Sequence, residues 1–378
     1  MDFSFSDDQQ TVADLTATIT ANSTKQERWR SISDGWFDRD LHRELADANL
    51  LGLCLPEAVA GSGLGLVEAC LVLEQVGRNL ARVPFLEGVV GAAMPIAEHG
   101  SDAQVQRLLP EFIRGESVLT AALGSGDPEN ARHVSLTALP DGEGWKLRGE
   151  VPFVAYADVA TRVLVPAVDE RGDVGLFLLD PSSPGVRHEP QTATTGQPLS
   201  VLTLDGFAVP AEEVLLPPGP EGRQAHRAIW ERVVVGLCAL QLGVASRALE
   251  MTAEYTSQRE QFGRPLAQFQ AVAMRLADGY IDVEGIRTTL WQAAWRVDEG
   301  LPATKAISVA KFWACEAGQR IVSAAQHLHG GMGADVDYPL HQYTLWAKNL
   351  ELALGPASWH LGVIGEDLRD HGTEEVAS

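Results

Sequence analysis

The sequence predicts an α+β protein of several domains: helices first, a small antiparallel β domain in the middle, and a helical bundle at the end. Three observations carry this. Apolar residues recur three and four apart through the first hundred or so positions. From about Leu119 they alternate instead, in short runs broken by Gly, Pro and Asp. Beyond a breaker-rich linker, Pro217 to Pro220, the spacing of three and four returns and persists over long segments joined by short turns, the pattern of a four-helix bundle. The divisions fall at residues 1–118, 119–212 and 222–378.

The first helix opens on a capping box, Ser6 to Gln9, and carries Val12, Leu15 and Ile19 on one side. A second follows Asp40, with Leu41 and Leu45, and stops near Gly52. Pro56 to Gly65 is a glycine-rich loop; it lacks the lysine and the preceding strand of a phosphate cradle. Leu66 to Leu80 and Ser101 to Ile113 complete an all-helical first domain. In the β domain, Val134, Leu136 and Ala138 alternate, Asp141-Gly142 signals a turn, and Trp145 and Leu147 alternate again. Further strands are expected at Val163 to Val165, Val174 to Leu179 and Val201 to Leu204, with the domain ending near Pro210. The last part is helical, with Phe269, Val272, Leu276, Tyr280, Val283, Ile286, Leu290 and Ala294 in one row and Ile307, Ala310, Ala314, Ala317 and Ile321 in another.

Composition narrows the function classes. The 378 residues are 45% hydrophobic and carry 29 basic against 51 acidic side chains, a net charge of −22. Such an excess of negative charge argues against nucleic acid as a partner and means that a polyphosphate ligand needs a local basic pocket. Cys54, Cys70, Cys238 and Cys315 are scattered, so they read as small buried residues of a reducing compartment and neither a disulfide frame nor a metal site. The N-terminus is acidic and polar, unlike a secretory signal, and no apolar stretch of about 18 residues lacks charge. A cytoplasmic protein with no membrane span is expected.

The most informative stretch is REQFGRPLAQFQAV, Arg259 to Val272. Arg259 ends one helix with a planar cationic fork suited to phosphate. Gly263 and Pro265 make a turn, and Gln270 opens a second helix whose first N–H groups are available to an anion or a ribose. The same residues also describe a plain helical hairpin with a capped corner.

These residues resemble the signature of the acyl-CoA dehydrogenase family, flavoenzymes that desaturate acyl-CoA thioesters; its second half resembles QHLHGGMGADVDYP, Gln326 to Pro339. The resemblance covers nearly the whole chain and is strongest from Leu242 to Lys348. It implies a helical domain, a β barrel and a four-helix bundle, with FAD as cofactor, an acyl-CoA substrate and an electron-transfer acceptor protein. By the same resemblance Arg259, Gln261, Phe262, Gln270, Gly330 and Gly331 are the residues that bind the adenosine diphosphate half of FAD held by a neighbouring subunit.

The flavin-ring side departs from the family. Leu119 to Asp127, LTAALGSGD, lacks the Glu-Pro of the usual Thr-Glu-Pro run. Phe153, Val154 and Ala155 stand where a tryptophan, an isoleucine and a hydroxyl residue contact the ring, and Pro356, Ala357 and Ser358 replace a Thr-Ser-Gln. The family's catalytic glutamate falls on Leu354, counted from Ala347-Lys348, and leucine takes no proton. Some relatives place the base in a Glu-Arg pair on a bundle helix. Glu231-Arg232 looks like that pair, although ungapped counting puts its places at Val233 and Val234, about 200° away around a helix. Otherwise Glu231 reads as a solvated first-turn carboxylate favoured by the helix dipole, and Glu351 and His360 as structural or exposed groups.

The pattern is similar to one subunit type of the actinobacterial heterotetrameric dehydrogenases acting on steroid side-chain CoA thioesters. The tracts EYTSQREQFGRPLAQFQAV, ADGYIDV and AKNLELALG carry that likeness. It implies an α2β2 assembly in which a second acyl-CoA dehydrogenase-like subunit bears the base. Two other readings stay open: a self-sufficient homotetramer using Glu231, and a non-catalytic stabilising subunit.

Overall fold

The computed structural model describes residues 4–23, 35–124 and 134–371. The chain forms two compact units, one of Met1–Arg28, Cys70–Ala81 and Val234–Ser378, the other of Trp29–Ala69 and Arg82–Val233.

The expected N-terminal helices are present. α1 (Asp7–Thr20) starts with the capping box read from Ser6 and Gln9. α2 (Arg39–Asp47) is capped two residues early, by the Asp38 carboxylate accepting from the Leu41 N–H at 3.0 Å. The glycine-rich loop contains one turn of 3-10 helix, Glu57–Val59, and α3 (Leu66–Arg78) follows. The chain then makes a π-helix, Leu86–Ala93, and a short α4 (Met94–His99), neither of which the apolar spacing predicts. Their run, VPFLEGVVGAAM, is too evenly apolar to show a period. α5 (Asp102–Ile113) closes the set.

The β strands are β1 (Leu119–Ala121), β2 (Leu136–Asp141), β3 (Gly144–Ala155), β4 (Arg162–Val168), β5 (Val174–Leu179), β6 (Val186–Thr192), β7 (Pro198–Val209) and β8 (Val214–Leu216). They form one sheet in the order β6-β7-β3-β2-β4-β5-β8, with β1 paired to β4. The sheet is mixed and not purely antiparallel: β1–β4 and β2–β4 run parallel. Alternation reports which face a side chain takes and is silent on strand direction. Leu136, Leu147, Val154, Val163, Phe177, Leu179, Leu202 and Leu204 fill its core. Among the polar groups supporting it, buried Gln104 of α5 donates to the carbonyls of Glu212 and Val214 at 3.1 and 3.0 Å.

The C-terminal helices are α6 (Pro220–Gln258), α7 (Gln270–Asp298), α8 (Thr304–His329), α9 (Leu340–Leu352) and α10 (Ala357–His371), one more than the expected bundle needs. α6 begins in the second compact unit and ends in the first. α8 packs against α7, α9 and α10. Pro220, read as linker, is the first residue of α6, where its fixed φ and missing N–H are tolerated. α6 is long and apolar enough by length and composition to cross a membrane, yet 83% of its most apolar window is buried within the protein. It crosses α3 at backbone contact: a Cβ on Gly243 would lie 2.0 Å from the Glu74 carbonyl oxygen. Cys70, Cys238 and Cys315 are buried free thiols and Cys54 is half-buried.

Candidate functional site

The signature stretch joins two helices by a short turn, with Gly263 in the turn as expected but Pro265 in the strand after it. α6 stops at Gln258 and α7 starts at Gln270. Between them β9 (Glu260–Gln261) and β10 (Arg264–Pro265) form a hairpin in which Gln261 faces Arg264. Its two-residue turn, Phe262-Gly263, has φ of +53° and +77°, so both residues lie in the left-handed region that such turns demand. Phenylalanine there is strained. Its ring is 92% exposed and meets the Phe269 ring edge-on, with centroids 6.2 Å apart. Arg264 lies over the Phe269 ring at 4.1 Å.

Arg259 is exposed and held by its backbone: its N–H donates to the Tyr255 carbonyl and its own carbonyl accepts from Leu266, both at 2.8 Å. Gln261 and Gln270 are exposed too, and no side chain caps α7 ahead of Gln270. Gly330 ends α8 at φ +60°, ψ −136°, a conformation open essentially to glycine alone. Among the described residues nothing lies within 4 Å of a Cβ built on Gly330 or Gly331. Packing within the chain therefore does not require the second glycine, whereas a ligand approaching the backbone from outside gives it a reason. The two halves of the signature meet, because Tyr255, one turn before Arg259, stacks on His329, the residue before Gly330, with ring centroids 4.3 Å apart. An exposed cation, an exposed aromatic ring, an uncapped helix start and a bare glycine turn suit a nucleotide with its pyrophosphate.

The turn at Leu354-Gly355 is also well defined. Leu354 has φ +50° and Gly355 +103°. His360, fully buried, donates from Nε2 to the Leu354 carbonyl at 3.2 Å, which leaves Nδ1 to accept from the Ser308 hydroxyl at 3.4 Å. Burial, then the Lys311 charge, pushes His360 down to about 3, so it is neutral at pH 7. Lys311 is 1% exposed and spends its ammonium on the last carbonyls of α9. Glu351 is paired with Lys348 at 2.5 Å. The turn thus holds a leucine, flanked by an acid and an imidazole that are already engaged.

On the sheet, Pro152 and Phe153 occupy a bulge in β3 between Val151 and Val154. Phe153 has φ +60° and is 61% exposed, while Val154 is buried. The Ala155 carbonyl accepts from Thr120 of β1 at 2.9 Å. Of the stretch that lacks the Glu-Pro, Ser125, Gly126 and Asp127 lie outside the described residues.

Glu231 is not a first-turn carboxylate. With α6 starting at Pro220 it sits about three turns in, away from the helix dipole. It pairs with Arg227 at 3.3 Å, and Arg232 pairs with Glu98 at 2.8 Å. Val233 and Val234, at the ungapped places of the pair, are buried.

Sequence reasoning passes over Glu87, although it is the one acid in an apolar run. It stands on the π-helix, and burial pushes its carboxyl up to about 7. It lies close enough to Tyr156 to raise that phenol further; Tyr156 is buried, has φ +57°, and accepts from the Trp36 indole N–H at 3.3 Å.

Residues 6–116 match the family described as acyl-CoA dehydrogenase, N-terminal domain, and residues 226–368 match its C-terminal domain. The chain is 39% identical to acyl-CoA dehydrogenase FadE27 of Mycobacterium tuberculosis over 98% of this chain and 99% of that one. Among solved structures it is similar to a chain of the ChsE4-ChsE5 complex from Mycobacterium tuberculosis, with 39% identity, a TM-score of 0.90 and coverage of 99% and 100%. A chain of a variant of the Tcur3481-Tcur3483 steroid ACAD gives 40% identity, a TM-score of 0.86 and coverage of 98% and 99%.

Proposed function

The chain belongs to the acyl-CoA dehydrogenase family, and on that premise we propose that it is the subunit of a hetero-oligomeric, FAD-dependent acyl-CoA dehydrogenase that completes the cofactor site of a base-bearing partner. The observation that carries this reading is an asymmetry. The residues that the resemblance assigns to the nucleotide tail are exposed, whereas by the same resemblance the place of the proton acceptor falls on Leu354. Two of the similar solved structures are complexes of two differently named chains, and one of those is described as a steroid ACAD.

In this reading Arg259 pairs with the pyrophosphate as a fixed fork. Phe262 would lie against the adenine, Gln261 and Gln270 would donate hydrogen bonds, and the Gly330-Gly331 backbone would come close to the phosphates. Bound FAD would supply the redox chemistry, as the hydride acceptor for the β-hydrogen. The α-proton of the thioester goes to a carboxylate of the partner, since neither Leu354 nor the engaged Glu351 and His360 provides one. The substrate is an acyl-CoA, with a steroid side-chain thioester as the candidate, and the electron acceptor would be an electron-transfer protein.

The helix that follows the corner exposes several apolar side chains, which the proposed partner would cover. In α7, Met274, Tyr280 and Ile281 are 59%, 63% and 64% exposed.

Purifying the chain alone and co-expressed with a candidate partner tests the proposal. Dehydrogenation of an acyl-CoA with an artificial electron acceptor is expected only in the complex, and Arg259→Ala is expected to lower the FAD content of that complex. Full activity of the lone chain, abolished by Glu231→Gln, supports the homotetramer instead; unchanged FAD content in the Arg259→Ala complex supports a stabilising subunit.

A further inference from the structure

The loop from Gly330 to Asp337 is exposed except for Gly333, yet both its ends reach one buried imidazole. His329 is 3% exposed. Its Nδ1 lies 2.9 Å from the Ala325 carbonyl, which can only accept, so Nδ1 carries the proton. Nε2 is therefore the acceptor, and the Tyr338 hydroxyl, 3.1 Å away, donates to it. Burial lowers the pKa of His329 below the usual imidazole value, in keeping with that neutral tautomer. His341 donates from Nδ1 to the Tyr338 carbonyl at 2.8 Å and fixes the same end of the loop from the α9 side. One face of the imidazole lies flat on Tyr255, at an interplanar angle of 20°.

We infer that Tyr255, His329 and Tyr338 form a positioning node that sets the separation between Arg259 and the Gly330-Gly331 turn, and so tunes the grip on the nucleotide tail. Resting on the function proposed above, it adds three residues that touch no cofactor. The route is short. Arg259 hangs from the Tyr255 carbonyl, Gly330 follows His329 directly, and Tyr338 ties off the loop that begins there. A shift of the imidazole moves the glycine turn relative to the arginine without disturbing either residue.

The test uses the co-expressed complex, stripped of flavin and titrated with FAD and with FMN, which lacks the adenosine half. Tyr338→Phe removes one hydrogen bond and keeps the ring; His329→Gln keeps a polar group and loses the stack. Each is expected to weaken FAD binding roughly fivefold, the effect of one hydrogen bond, to leave FMN binding unchanged, and to lower the thermal midpoint of the stripped complex without unfolding it at the titration temperature. In an Arg259→Ala background the same substitutions are expected to have no further effect on FAD, because the distance they set no longer matters. Equal losses of FAD and FMN affinity, or losses that add fully to that of Arg259→Ala, overturn the node and leave the proposed function standing. An Arg259→Ala complex that binds FAD as tightly as the wild type removes the premise itself.

Discussion

The Lys311 ammonium lies 2.6 Å from the Leu350 carbonyl oxygen, and both are enclosed by the helical bundle. A buried cation at the end of α9 answers the carbonyls left over there and the negative end of the helix dipole. It fixes the helix a few residues before Leu354. Lys311→Met leaves the Leu350 and Glu351 carbonyls without that donor. It is expected to destabilise the chain by about 1–3 kcal/mol, read as a lower urea midpoint at constant slope. An unchanged midpoint contradicts the assignment.

Glu87 makes stability fall with rising pH. Its carboxyl is pushed up from 4.5 to about 7 in the folded chain, so folding favours the protonated form. The contribution is fully present below pH 4.5 and is lost as pH rises through 7, with an upper bound of about 3 kcal/mol. His42 and His360 act in the other direction. Burial pushes them down to about 4 and about 3, so their contribution is lost as pH falls below 6.5. The difference between Glu87→Gln and the wild type isolates the acid: the variant gains relative stability from about pH 5 to about pH 8. A constant difference across that range rules out the shifted carboxyl.

Phe262 sits in left-handed backbone at φ +53° with its ring in solvent. Strain of this kind gathers at ligand sites. Phe262→Asn relieves it and is expected to stabilise the lone chain by about 1 kcal/mol while weakening FAD binding by the complex. A variant that is more stable and binds FAD equally well removes Phe262 from the site.

Glu231 pairs with Arg227 on the same helix face, so Glu231→Gln is expected to leave the dehydrogenation rate of the complex within about twofold, the small effect of an i,i+4 pair. A loss of several orders of magnitude returns Glu231 to the role of base.

Much of the candidate site is legible in the sequence because it is built from local signals. The helix ends at Gln258 and Gln270 and the turn at Phe262-Gly263 follow from glycine, proline and apolar spacing. What escapes depends on distance or on silence in the pattern. Nothing in the spacing joins Tyr255 to His329, which touch across long sequence separation. The breakers Pro217 to Pro220 hide the start of α6 at Pro220 and misplace Glu231 relative to the helix dipole. The π-helix carrying Glu87 has no polar face to give it a period. Parallel pairing of β1 with β4 leaves the alternation of each strand unchanged.

The ratio of flavin to polypeptide tests the division of labour most directly. The chain purified alone is expected to carry essentially none, and the complex with its partner one FAD for each pair of unlike chains. A lone chain that keeps one FAD per polypeptide and turns over acyl-CoA contradicts the account.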